Sequence, residues 1–246
     1  MRDGRPAGTA RRVLDATGPV REGMWSYEPP YPRFRMGPLG PVPWAGAPVR
    51  VEVFEGMHSQ TGTYLETAAH FIGDGAAPFV DDLPVASLLR IPAVVLHVER
   101  TGRAFAPGAE RAAIDADDLA RAAGGRPVPE GAALLVATGW GRFWMHPRYL
   151  DDSPFLRASA MDWLLARRPF LVGSDFARWE NLERPEGFFP AFFASGALML
   201  APLAALEDWP SDRARLTALP LRIPGTSGVP CRAVLEEAED AGGGAP

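Results

Sequence analysis

The segment Met57–Phe71, MHSQTGTYLETAAHF, gathers two histidines, a glutamine, a tyrosine and a glutamate around Gly62, which Thr61 and Thr63 flank. On an extended chain alternate side chains share a face, and His58, Gln60, Tyr64, Glu66 and His70 all occupy even positions. Such a face has two chemical uses. As an acid–base pocket, His70 moves protons near neutral pH, and Glu66 does the same if an apolar setting raises its pKa. Tyr64 then donates a hydrogen bond to a developing oxyanion while Gln60 orients the same carbonyl. As a metal site, His58, Gln60, Glu66 and His70 would hold Mn²⁺ or Zn²⁺ through mixed nitrogen and oxygen ligands. Neutral glutamine is a weak ligand, and tyrosine binds well only as a phenolate from a pKa near ~10. The acid–base reading, with no metal cofactor, is therefore preferred. A polar strand beside a buried histidine is the inert alternative. Gly62 permits a bulge or the close approach of a ligand.

Other residues have simpler readings. Arg142 and His146 lie in WGRFWMHPRY, where an arginine can clamp a substrate carboxylate or join a surface ion pair. His97 alternates with apolar residues in VVLHVE and reads as a satisfied strand histidine, and Cys231, the only cysteine, as a small apolar strand residue. No disulfide or thiolate zinc cluster is available from one cysteine.

The elements that must carry these residues are short. VRVEVFEG (49–56) alternates apolar and polar residues and predicts a half-buried strand. The apolar runs at 92–99, 132–139, 170–175 and 218–224 are bounded by Gly or Pro, as buried strands are. Residues 114–125 open on Asp and close on Gly-Gly, the signature of a capped helix, and 157–169 predicts a second helix that stops before Pro169. Pro-rich stretches at 29–48 and 180–190 read as loops. The expectation is one strand-rich α/β domain over 11–236 with few helices, a flexible leader at 1–10 and a flexible tail at 237–246.

Composition narrows the function. All 25 basic residues are arginine, which excludes pyridoxal phosphate enzymes, Schiff-base aldolases and P-loop NTPases, each of which needs a lysine amine. A net charge of −5 speaks against a nucleic-acid partner. No apolar run approaches the ~18 residues of a membrane span, so a cytoplasmic protein acting on a small molecule, with no membrane partner, is expected.

QTGTYLETAAH (60–70) resembles, in register, the pattern HxGTHxDxPxH of the cyclase family of metal hydrolases, to which kynurenine formamidase and isatin hydrolase belong. Gly62, Thr63 and His70 match. VLDATGPVREGMWSYEPPYP (13–32), ATGW (137–140), VGSD (172–175) and PLRIPGTSGVPCRAV (220–234) are similar to further segments of the family, in the same order. The resemblance implies the family's swivelling β/β/α-like fold and hydrolysis of an amide, lactam or lactone. It places Gln60, Tyr64 and Glu66 where relatives carry metal ligands, and the further ligands of two-metal members near Phe189 and Ala201. It makes His70 the acid or base, and reads Asp175 of VGSD as a support for its strand end. It puts Trp25, Tyr27, Tyr31, Trp140, Phe143 and Trp144 in segments that flank the substrate, so Trp25, Tyr27, Trp140, Arg142 and Trp144 are the expected substrate-binding residues. It also implies a homodimer or homotetramer, with 25–48 as the contact. The altered ligands suggest cyclisation or rearrangement beside hydrolysis. A non-catalytic small-molecule binding protein is the alternative.

Overall fold

The computed structural model describes residues 11–73, 75–102 and 104–238. The expected leader and all but the first two residues of the expected tail lie outside these. In chain order the described residues form β1 (Val13–Asp15), β2 (Arg35–Pro38), β3 (Glu52–Glu55), β4 (Tyr64–Glu66), α1 (Ala69–Ile72), β5 (Ile91–His97), β6 (Ala113–Ile114), α2 (Ala116–Ala123), β7 (Ala133–Ala137), β8 (Phe155–Leu156), α3 (Ala158–Leu165), β9 (Leu171–Ser174), α4 (Phe189–Ala194), β10 (Leu198–Ala201), β11 (Arg213–Pro220) and β12 (Gly228–Glu236).

The main sheet runs β1-β12-β11-β5-β7-β9-β10-β4, and β4 pairs back onto β12. Along one edge, β12 takes β4 through Gly228–Pro230 and β1 through Val234–Glu236. The ring from β12 through β11, β5, β7, β9, β10 and β4 therefore closes into a barrel. Strands β5, β7, β9 and β10 are parallel, and β4, β11 and β12 complete the ring antiparallel.

Two cores follow from the period-two alternation of strands. Ala93, Val95, Leu135, Leu171 and Leu200 fill the barrel, while Val94, Leu96, Leu134, Val136 and Val172 face outward against α2 and α3. Burial on both faces is why these strands are unbroken apolar runs. The outer layer is built from capped helices. Asp115 accepts from the amide of Asp118, whose carboxylate accepts from the amide of Asp115, and α2 stops at Gly124 in the left-handed conformation. Helix α3 ends before Arg168, whose φ of 46° is incompatible with helix.

Two expectations are corrected. The alternating segment 49–56 is not packed on the core: β3 pairs only with β2, and Val53 and Phe54 of that hairpin stand in solvent. The strand expected at 218–224 ends at Pro220, and its true body begins at Arg213, where the alternation of Ala214, Leu216 and Ala218 enters the barrel. Among the described residues, no helix is long and apolar enough to cross a membrane.

Candidate active site

Strand β4 turns Leu65 into the barrel and Tyr64 and Glu66 outward. Its approach is fixed by Thr63, whose hydroxyl donates to Pro202 O (2.6 Å) and accepts from Gly18 N (2.9 Å). Gly62 has φ of 72°, and a Cβ there would lie 2.7 Å from Val20 Cγ2, so both backbone and space require glycine. The neighbours of β4 decide what surrounds its polar side chains. Glu66 lies opposite Met199 on β10 and Gly228 on β12, and Tyr64 lies opposite Ala201 and Pro230. With apolar or small residues on both sides, the Glu66 carboxyl is cut off from water and only 2% of the side chain is exposed.

That burial pushes the Glu66 pKa from 4.5 up to about 7, against the pull of a hydrogen bond donated by Gln60 Nε2 to Glu66 Oε2 (2.8 Å). One turn on, α1 brings His70 Nδ1 to 3.7 Å from the same oxygen. This is beyond a direct hydrogen bond, but close enough for transfer through one water or after a small rotation. Burial lowers the His70 pKa, so near neutral pH the pair tends toward a carboxylic acid beside a neutral imidazole. Tyr64 is fully enclosed, and burial lifts its pKa well above 10. Its hydroxyl lies 3.1 Å from that of Tyr27. One hydroxyl donates to the other, which leaves the second proton available to a substrate oxygen.

These groups open onto a cavity of about 290 Å³. Helix α4 supplies an aromatic wall, with Phe193 stacked on Phe71 (5.5 Å, 11°) and on Phe189 (5.9 Å, 20°). Tyr31, Trp179 and Leu182 add apolar surface, and Arg178 and Glu28 line the same space. The structure thus brings Gln60, Tyr64, Glu66, His70 and Tyr27 together.

His58 does not join them. Residues 58–61 form a turn rather than a strand, with Thr61 N donating to His58 O (3.0 Å) and Gln60 N to His58 Nδ1 (3.3 Å). The turn swings His58 toward Tyr31 and a small separate cleft. His70 reaches the site from a helix, four residues after Glu66, and not by strand parity.

Three tryptophans expected at the substrate are core residues. Trp140 donates to Tyr149 O (2.9 Å) and Trp144 to Pro19 O (2.9 Å). Trp25 packs edge-on to Tyr27 and to Trp144. Trp25 holds Tyr27 from behind, and Trp144 backs Trp25. Arg142 faces Glu99 (3.9 Å) and Glu207 (3.6 Å) and does not line the cavity. Asp175 is a strand-end support: it accepts from the amides of Thr138, Gly139 and Trp140 and from the Thr138 hydroxyl. Burial raises its pKa to about 6 against those bonds. His97 is bonded to Ser211 O (3.2 Å), and the Cys231 thiol is pushed by burial to about 12.

The donor set fits a divalent ion poorly. Gln60 turns its NH₂ toward the Glu66 carboxyl, and the Tyr64 hydroxyl is engaged with that of Tyr27. Among the described residues, no three His, Cys, Asp or Glu side chains converge as a ligand group. Phe189 stands in the cavity wall, and Ala201 pairs with Tyr64, so neither offers a ligand.

Residues 14–181 match the family model described as "Putative cyclase", and the chain belongs to this cyclase family. It is 26% identical over 237 residues to a kynurenine formamidase of Erythrobacter litoralis (strain HTCC2594), covering 94% of this chain and 97% of that protein. An isatin hydrolase bound to the product analogue thioisatinate superposes with a TM-score of 0.77 at 22% identity, over 93% of each chain. A potential metal-dependent hydrolase with cyclase activity does so with a TM-score of 0.71 at 21% identity, over 94% of this chain and 100% of the other. These neighbours share the strand-rich α/β fold.

Proposed function

We propose that this cyclase-family enzyme performs acid–base chemistry on a small carbonyl-bearing molecule with an aromatic or cyclic body, by hydrolysis of an amide, lactam or lactone or by ring closure. The observation that carries the reading is the Glu66 carboxyl, buried, raised to about 7 and bonded to Gln60 at the base of an aromatic cavity. A carboxyl that titrates near the working pH serves equally as acid and base. Glu66 takes the proton of the attacking nucleophile and returns it to the leaving group. His70 exchanges protons with the same oxygen, and the Tyr27–Tyr64 pair donates to the oxyanion. The mismatch of the donor set with Mn²⁺ or Zn²⁺ favours chemistry carried by these side chains, although the solved neighbours include proteins described as metal-dependent.

The test is turnover of a panel of aryl amides, lactams and lactones. Glu66→Gln and His70→Ala are each expected to lower kcat by roughly 10²-fold or more, the usual scale for a general acid or base. Full activity in both variants would remove the assignment.

A second copy of the chain is the proposed partner. Met36 and Phe54, paired across β2 and β3, are 50% and 58% exposed, and Trp44 in the connection between the two strands is 87% exposed, apolar surface of the kind that marks an interface.

A further inference from the structure

We infer that the substrate carries an anionic group, a carboxylate for choice, which binds Arg178 by taking the place of Glu28. The inference rests on the reading of this cavity as the substrate site. Arg178 is firmly held. Its carbonyl accepts from Arg111 Nη2 (2.8 Å), and that of Glu180 accepts from Arg111 Nη1 (2.9 Å). Between them, Trp179 O accepts from Leu156 N (2.7 Å), and the Trp179 indole donates to Ser174 Oγ (2.7 Å). The backbone under Arg178 is thus pinned from behind, so little ordering cost remains when a ligand binds.

The guanidinium is nearly buried, with 11% of the side chain exposed, yet its carboxylate partners Glu28 and Asp151 are each 63% exposed. The two partners are not equivalent. Asp151, at 3.3 Å, lies outside the cavity lining, whereas Glu28 and Arg178 both line it with Glu66. Glu28 therefore presents a carboxylate to the cavity side of a fixed cation, on a loop one residue beyond Tyr27. An ion pair with so exposed a partner is weak. A ligand carboxylate enclosed by Phe189, Phe193 and Tyr31 makes the same charge-assisted bonds away from water, where they are stronger. Glu180, the other acid of the lining, spends one oxygen on the amides of Gly187 and Phe188 (2.5 and 3.3 Å). Arg178 is thus the cation of the cavity lining.

Calorimetric titration with benzoate and phenylacetate against their neutral amides tests the inference without turnover. Wild type is expected to prefer each acid by roughly tenfold or more, and Arg178→Met to lose the preference. Glu28→Gln, an exposed substitution that leaves folding unchallenged, removes the internal competitor. It is expected to tighten acid binding roughly two- to five-fold, the equivalent of an exposed ion pair, and to leave amide binding unchanged. Equal affinity for acid and amide, or a Glu28→Gln variant that binds acids no more tightly than wild type, overturns the inference. The Glu66→Gln variant, run in parallel, keeps the acid preference even if Glu66 proves irrelevant to turnover, so failure of the anion site and failure of the acid–base assignment are read separately.

Discussion

Replacing Glu66 by glutamine should stabilise the protein at high pH and leave it nearly unchanged at low pH. In the native state the carboxyl releases its proton at about 7, and in the unfolded chain at its ordinary 4.5. Between those values the native state holds a proton that the unfolded state has lost, so stability falls as pH rises through the interval. At about 1.4 kcal/mol per pH unit, the loss amounts to about 3 kcal/mol, complete above pH 7. The substituted amide keeps an acceptor for Gln60 Nε2 and nearly the volume of the original side chain, but has no charge to desolvate. His70 acts with the opposite sign, because its depressed pKa makes the native state the one that binds fewer protons. Comparing wild type with Glu66→Gln at each pH cancels that contribution to first order, along with that of Asp175. Urea denaturation at pH 5, 6, 7 and 8 is the assay. The variant should lie within about 1 kcal/mol of wild type at pH 5 and exceed it by about 3 kcal/mol at pH 8. A difference that does not change with pH would refute the claim that this carboxyl is held as an acid by burial.

Two further outcomes follow from the same geometry. Gly62→Ala meets both a φ of 72° and Val20 Cγ2 at 2.7 Å. It should cost about 1–3 kcal/mol, read as a shift in the denaturation midpoint, and should reduce activity by displacing Tyr64. Trp44→Glu, on the exposed hairpin, should shift the assembly toward monomer in sedimentation velocity with the far-ultraviolet dichroism unchanged; a wild-type chain that sediments only as monomer would refute the proposed self-association.

Local chemistry made part of this molecule legible in advance. Helix α2 follows from Asp115 and Gly124, whose capping needs no distant partner, and β5, β7 and β9 follow from unbroken apolar runs that only strands buried on both faces require. Tyr64 and Glu66 share a face because β4 is short and regular. Parity failed on either side of it, where backbone turns take over: His58 is carried off by the 58–61 turn, and His70 arrives on α1. The cavity wall was the least legible part. Phe189, Phe193, Met199 and Arg178 reach Glu66 only because β10 pairs with β4 and β4 closes the barrel on β12, contacts that join distant parts of the chain. Nor does sequence separate an aromatic that lines a cavity from one that fills a core. Trp25, Trp140 and Trp144 belong to the core because partners at Tyr27, Tyr149 and Pro19 close over them. A usable signal did exist in the run FFPAFF (188–193), whose aromatic density exceeds what a short helix buries on one side.

The proposed chemistry is run by side chains and not by a bound ion, at Gln60, Tyr64 and Glu66, where the sequence resemblance places the metal ligands of relatives. Its most direct test is elemental analysis by inductively coupled plasma mass spectrometry of active protein purified without chelator or polyhistidine tag, with activity measured before and after dialysis against a chelator. Mn and Zn are expected far below one ion per chain, with activity that survives dialysis. Near-stoichiometric Mn or Zn that is lost together with activity, and absent from Glu66→Gln, would contradict it.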